Sequence, residues 1–475
     1  MNTLIKGARV VTASDSFDAD VRITGESVSE IGKGLSAAGG DKVIDANGRW
    51  LIPGGIDPHV HLELPFMGTV SRDDFDSGTA AALAGGTTCL IDFAIPPKGQ
   101  TLSSAMQAWD AKSKPKARCD FAYHMAVTDW SDDIEREIPK VVNEFGINSF
   151  KIFLAYMGVL GVDDNQAFKI CRAVKRAGGI VTVHAVNGNV LVAMAEEMCK
   201  NGQTDPIYHA LSQPPAAEGE AAGRIIRFTE INGGAIYIVH TTVIDALQEI
   251  AAGRARGRAT IIGETCTQYF FLSQDLYELP NWEGAKYVLS PPIRPREHCD
   301  AMWKALNDRT IQVIGTDHCS FDFNGQKNLT GKTADGKPFD AKKDFRFIPN
   351  GFNGLEERLA MMYTYGVKEG RISPERWVET CCTNAAKVFG LPKKGTIAVG
   401  ADADLVLWDP DASGVISAKT HKSRSDYNVY EGYKIGGKAS VTFVRGNVAY
   451  ENGEVIAAPG TGRYVKRGKF SAKSI

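Results

Sequence analysis

The stretch "GGIDPHVHLELPF", residues 54 to 66, sets two histidines one position apart at the end of an apolar run, straight after a glycine pair. In an extended strand residues i and i+2 share a face, so His59 and His61 point one way and Val60 the other. Two imidazoles on one face make half a metal site. Other apolar runs end alike: "VTVHAV" carries His184, "YIVHTT" carries His240 and "VIGTDH" carries Asp317. Four histidines and a carboxylate at matching strand ends form a joint pattern that scattered core histidines do not produce. His124, His209, His298, His318 and His421 stand outside it, although His124 and His318 lie near enough to orient ligands.

Lys151 in "SFKIFLAY" interrupts an apolar strand and would aim an ammonium at a cup of cations, where it has no lone pair to give. It either pairs with a carboxylate or is modified. If its amine captures carbon dioxide, the carbamate is an anion with two oxygens, able to bridge two metals about 3.5–4 Å apart.

Something must hold these residues at one rim. Eight short apolar runs, from "DPHVHLE" through "TTCLIDFAI", "CDFAYHMAV", "SFKIFLAY", "IVTVHAV", "AIYIVHTT" and "ATIIGETC" to "IQVIGTDH", alternate with amphipathic stretches. The alternation predicts α/β architecture; an open doubly wound sheet would give the same pattern, and eight strands over about 300 residues suit a (β/α)8 barrel, whose chemistry sits at the C-terminal strand ends. Both chain ends instead alternate β-branched segments with turn residues. The expected organisation is a discontinuous β-sandwich from residues 1–53 and 396–460, a barrel over 54–395, and a tail at 461–475.

The 54 basic and 56 acidic residues leave a formal net charge of −2 with no long run of either sign, which gives no footprint for nucleic acid or a membrane surface. No apolar run approaches the ~20 residues that span a bilayer. Nine scattered cysteines and an N-terminus without a secretory leader predict a reduced, cytoplasmic setting and a small-molecule partner.

Read together, "GGIDPHVHLELPFMGTVSRDDFDSGTAAALAGGTT", "FKIFLAYMG", "VHAVNG", "IVHTT", "LSPPIR", "TDHCSF" and "IPNG" resemble the D-hydantoinase and dihydropyrimidinase branch of the cyclic amidohydrolases, from near residue 3 to about 465. The resemblance implies two divalent ions per subunit, usually zinc. His59 and His61 hold one and His184 and His240 the other, with carboxylated Lys151 between them and Asp317 on the first. It further implies that Tyr156 serves the oxyanion, that the backbones of Ser290 and Asn350 read the imide edge of the substrate, and that the chain forms a homotetramer. A hydroxide shared by the two ions would open a dihydropyrimidine or 5-substituted hydantoin to an N-carbamoyl amino acid, with Asp317 moving the proton. Leu64, Phe66, Met67, Phe153 and Leu160, on the loops after strands one and four, are expected to meet the ring substituent. Their apolar character favours an alkyl or aryl group over the acid of dihydroorotate.

This chain departs from its relatives in three places. Val186 stands where many carry glutamate in His-Ala-Glu-Asn, Met157 replaces a lysine after the tyrosine, and the polar segment "FNGQKNLTGKTADGKPFDAKKD" is longer than the family pattern. Within it, "GQKNLTGKT" imitates a phosphate-binding loop, but Gly325 stands one residue too far from Gly331 and no strand precedes it. Asn328 heads a glycosylation sequon, expected to be without consequence if the protein is cytoplasmic as predicted. The rivals are an allantoinase or dihydroorotase and a scaffold homologue that has lost its metals; the full ligand set speaks against the scaffold.

Overall fold

The computed structural model describes residues 2–333 and 336–472. Eight parallel strands follow one another in chain order around the barrel: Gly55–Val60, Thr87–Ala94, Asp120–Ala126, Ser149–Phe153, Ile180–His184, Ala235–Ile238, Thr260–Cys266 and Val313–Gly315. Nearly every residue in them is buried, because helices cover the outer face and side chains fill the inside, so the runs are apolar without alternation. The first and eighth strands close the ring through a bridge between Val60 and His318, where the His61 N–H donates to the His318 carbonyl at 2.8 Å.

Helices return the chain between strands. Asp164–Ala177 shows why its sequence starts and stops there. Asp163 and Gln166 form a reciprocal capping box, and Gly178 ends the helix at φ 80°, a left-handed angle only glycine adopts without strain.

The two chain ends meet in a second sheet with nine strands among the described residues. Trp50–Pro53, the last strand before the barrel, pairs antiparallel with Leu405–Asp409, the first after it. The expected sandwich takes the form of one hydrogen-bonded sheet that branches at Asn2–Val11. One edge of that strand pairs with Ser16–Thr24; the other pairs with Asp41–Asp45 and then with Trp50–Pro53. The switch falls at Gly7, at φ 65°, whose N–H leaves the ladder for the Asp20 carboxylate at 2.8 Å. Ile5, Val10, Val21, Leu51, Leu405 and Phe443 bury one apolar layer from both chain ends.

Residues 461–472 do not hang free as a tail; 473–475 lie outside the described residues. The segment runs under the barrel and pairs with the turns that precede strands three, four and five, through Gly462 N–H to Ala117 O, Arg467 N–H to Gly146 O and Phe470 N–H to Gly178 O, each 2.8 Å. No helix among the described residues is long and apolar enough to cross a membrane.

Candidate metal centre and active site

His59 sits on the first strand, with His61 one position past its end. His184 ends the fifth strand, and His240 and Asp317 lie just beyond the sixth and eighth. These five converge at the barrel mouth. Asp317 Oδ1 is 3.1 Å from His59 Nε2 and 3.0 Å from His61 Nε2. His184 Nδ1 and His240 Nε2 approach to 2.8 Å, and the His59 and His240 rings stack at 5.4 Å.

These spacings test whether the residues suit a cation. Ligand atoms about 2.0–2.1 Å from a tetrahedral ion lie roughly 3.3 Å from one another, close to the separations seen here. Among the nitrogens at these separations, His59 Nε2, which faces Asp317, is buried and makes no well-formed hydrogen bond among the described residues. An unpaired buried nitrogen is costly, and a divalent ion would remove the cost. The donor set fits.

Glu264, on the seventh strand, fixes the tautomer and was missed in the sequence. Its Oε1 accepts from His59 Nδ1 at 2.7 Å and from the His240 N–H at 3.0 Å, so His59 turns Nε2 toward the cup. A signal was there: a carboxylate inside the apolar run "ATIIGETC" is as anomalous as the lysine inside "SFKIF". Asp57 acts one layer lower, accepting from the His59 N–H and from the Thr316 hydroxyl at 2.7 Å, which ties the first strand to the loop that carries Asp317.

The electrostatics follow from this packing. Burial opposes charging His59, but Glu264 and Asp317 outweigh it and raise the imidazole to about 9. Burial pushes His184 down to about 3, with Lys151 adding to the effect. Asp317 is held well below the ordinary carboxylate range, as His59 and His61 overcome the burial that would raise it.

Lys151 points into the same space. It is buried, its ammonium lies 4.7 Å from the Phe93 ring centre and 5.2 Å from that of Phe153, and it depresses the basicity of all four site histidines. No carboxylate oxygen of the described residues lies within ion-pair distance of its Nζ, so the salt-bridge alternative has no partner. Burial lowers its pKa to about 8.

Tyr156 stands on the loop after the fourth strand, its ring 5.3 Å from that of His184. Burial pushes its phenol up to about 12, with the polar Ser290 and Asn350 side chains pulling the other way, so it keeps its proton at ordinary pH. Tyr156, His240 and Asp317 have left-handed φ angles of 57°, 36° and 55°. Each such angle costs roughly 1–3 kcal/mol in a non-glycine residue, and three at one rim mark a site held against strain.

The remaining expectations divide. Phe66 and Phe153 meet the Tyr156 ring at 5.8 and 6.1 Å, and Met67 and Leu160 are half-buried beside them. Leu64 turns away into the main core. Val186 is buried and Met157 is exposed. His124 lies beneath the cup, bonded to Ser149 Oγ and to the Pro58 carbonyl ahead of His59. His318 is tied to Asp73 at 3.1 Å. In the long polar segment, of which Ala334 and Asp335 lie outside the described residues, Thr330–Lys332 pairs with Pro338–Asp340 as a hairpin.

Comparison with known proteins gives the family and the fold. The sequence profile of the Amidohydrolase family matches residues 50–449. A D-hydantoinase of Geobacillus stearothermophilus is 45% identical over 473 residues, covering 99% of this chain and 98% of that protein. An Arabidopsis thaliana dihydropyrimidinase is 41% identical over 98% of this chain and 86% of its own. The crystal structure of dihydropyrimidinase from Brevibacillus agri superposes with a TM-score of 0.95 at 44% identity, covering 99% of this chain and all of that one. The chain belongs to the amidohydrolase family, in the group that contains the D-hydantoinases and dihydropyrimidinases.

Proposed function

We propose that this enzyme hydrolyses a cyclic amide, a 5,6-dihydropyrimidine or a 5-substituted hydantoin, to the N-carbamoyl amino acid at a pair of divalent ions. The carrying observation is a buried lysine without a carboxylate partner, in a cup of four histidines and an aspartate. His59, His61 and Asp317 would hold one ion and His184 and His240 the second, a donor set that suits zinc. The neutral amine of Lys151 would add carbon dioxide and release a proton, and the resulting carbamate would supply an anionic oxygen ligand to the metal pair. When bound, such ions supply a water that ionises near neutral pH and a Lewis acid for the carbonyl.

The chain's own groups do the rest. Asp317 accepts the proton of the attacking water and returns it to the leaving ring nitrogen. Tyr156 donates a hydrogen bond to the developing oxyanion, a contribution of about 3 kcal/mol for a donor of this kind. The backbones of Ser290 and Asn350 read the imide edge, a role supported by the bond from the Gly351 N–H to the Val288 carbonyl, which brings these two strips of chain together. Phe66, Met67, Phe153 and Leu160 offer an apolar rim to the ring substituent. Assembly as a homotetramer belongs to the same reading, with Val190 and Val192 exposed on helix Gly188–Lys200 as apolar surface.

The test is a metal analysis of protein purified without chelator, with rates on dihydrouracil, dihydrothymine, 5-substituted hydantoins, allantoin and dihydroorotate. Two divalent ions per subunit and faster turnover of the first three classes are expected. Faster turnover of allantoin or dihydroorotate would give the site to that substrate instead. Neither metal nor turnover after addition of zinc or manganese would make the chain a scaffold.

A further inference from the structure

Lys327 is a second buried lysine without an acidic partner, and the chemistry above does not use it. It belongs to the long polar segment after Asp317, its side chain is fully buried, and no carboxylate of the described residues lies within ion-pair distance. Its Nζ donates instead to two backbone carbonyls, Val288 at 2.8 Å and Pro349 at 2.7 Å. These lie two residues before Ser290 and one before Asn350. The Gly351 N–H also donates to the Val288 carbonyl at 3.0 Å, so the two strips of chain are joined directly and cross-braced by one ammonium.

The neighbouring residue reaches the opposite side of the substrate space. Gln326 accepts from the Asp322 N–H at 2.7 Å, which fixes its amide. Its Nε2 then donates to Thr69 Oγ1 at 2.7 Å and to the Val70 carbonyl at 2.8 Å. Thr69–Val70 is one arm of a short hairpin whose other arm, Pro65–Phe66, carries the Phe66 ring that meets Tyr156. Consecutive residues of one loop therefore hold the backbone assigned to the imide and the hairpin assigned to the substituent. Burying an amine among carbonyls costs more than an apolar side chain of that length, and the two bonds it donates are what offset that cost here.

We propose that Gln326 and Lys327 are positioning residues that set the distance between the two halves of the substrate pocket, Lys327 through the Ser290 and Asn350 backbones and Gln326 through the Phe66 hairpin. The proposal rests on the reading of the pocket given above. A backbone that reads a substrate in ground and transition states alike acts on KM rather than kcat.

The experiment measures KM and kcat for dihydrouracil and 5-phenylhydantoin, together with metal content, in the wild type, Lys327→Met, Lys327→Arg and Gln326→Ala. Lys327→Met should raise KM about tenfold on both probes with kcat within about twofold and metal unchanged. Lys327→Arg, which keeps two donors, should recover most of the loss. Gln326→Ala should raise KM more for 5-phenylhydantoin than for dihydrouracil. Wild-type KM values in metal-loaded Lys327→Met overturn the proposal. If that variant does not fold, an unchanged ratio of the two KM values in Gln326→Ala does so. Hydrogen exchange of segments 286–291, 348–351 and 65–70 does not depend on turnover. Faster exchange of the first two in Lys327→Met, or of the third in Gln326→Ala, supports the brace even if neither probe is a substrate and the proposed function falls. Unchanged exchange in both variants overturns it.

Discussion

The two ends of the barrel each bury a lysine, and they treat it in opposite ways. At the floor, Lys394 is enclosed by Asp120, Asp402 and Asp404 at 2.7, 3.1 and 2.8 Å, and although burial works against its charge these carboxylates raise its pKa. Asp120 opens the third strand and Asp404 precedes the strand that leads back into the sheet, so the cluster rivets barrel to sheet. At the mouth, Lys151 faces imidazoles and aromatic rings, its pKa falls to about 8, and the neighbouring backbone carries left-handed strain. A lysine enclosed by carboxylates stabilises the floor; a mouth whose lysine has no carboxylate in ion-pair reach is prepared for something the chain does not itself supply.

The contrast can be broken from either end. The largest effect belongs to Lys151→Ala, expected to lose bound metal and to lower activity on the order of 10³-fold or more, with partial rescue by short carboxylic acids that replace the carbamate. Metal analysis and rates with and without added acid measure it; full activity in that variant would remove the bridging role. Lys394→Met takes the cation from Asp402 and Asp404, while Asp120 keeps Arg445, and should cost about 3–5 kcal/mol of stability, read as a fall in the denaturation midpoint. Its metal content and the kcat of the folded fraction should stay at wild-type values, and a loss of metal there would merge the two ends into one functional unit. Glu264→Gln keeps shape and removes charge, so it sharpens the contrast: metal affinity should fall about 10–100-fold in a chelator competition, with little change in the midpoint.

How much of this was legible in the sequence varies residue by residue. His59, His61, His184, His240 and Asp317 announce themselves because a parallel strand ends abruptly, and a polar residue after an unbroken apolar run can only face the mouth. Lys151 shows through as a violation of the same pattern. Glu264 violates it too, yet a single acidic residue in a strand carries no hint of its partners; that it meets the histidines of strands one and six depends on how the barrel closes. The long segment after Asp317 reads as solvated loop, and its composition gives no sign that Lys327 turns inward while its neighbours stay at the surface. The tail at 461–472 is polar enough to pass for a free end, but Arg467 within it is buried against Ser149 Oγ at 3.0 Å.

By itself the sequence determined the periodic elements, the order of strands and the residue types at their ends, because strand length, burial on both faces and local turn chemistry act over a few neighbouring positions. Only the tertiary structure decided which lone pairs meet, which lysine has an acid beside it and which loop carbonyls share one ammonium. Those contacts join residues tens to hundreds of positions apart, and their distances depend on the curvature of the closed barrel rather than on any local preference of the chain.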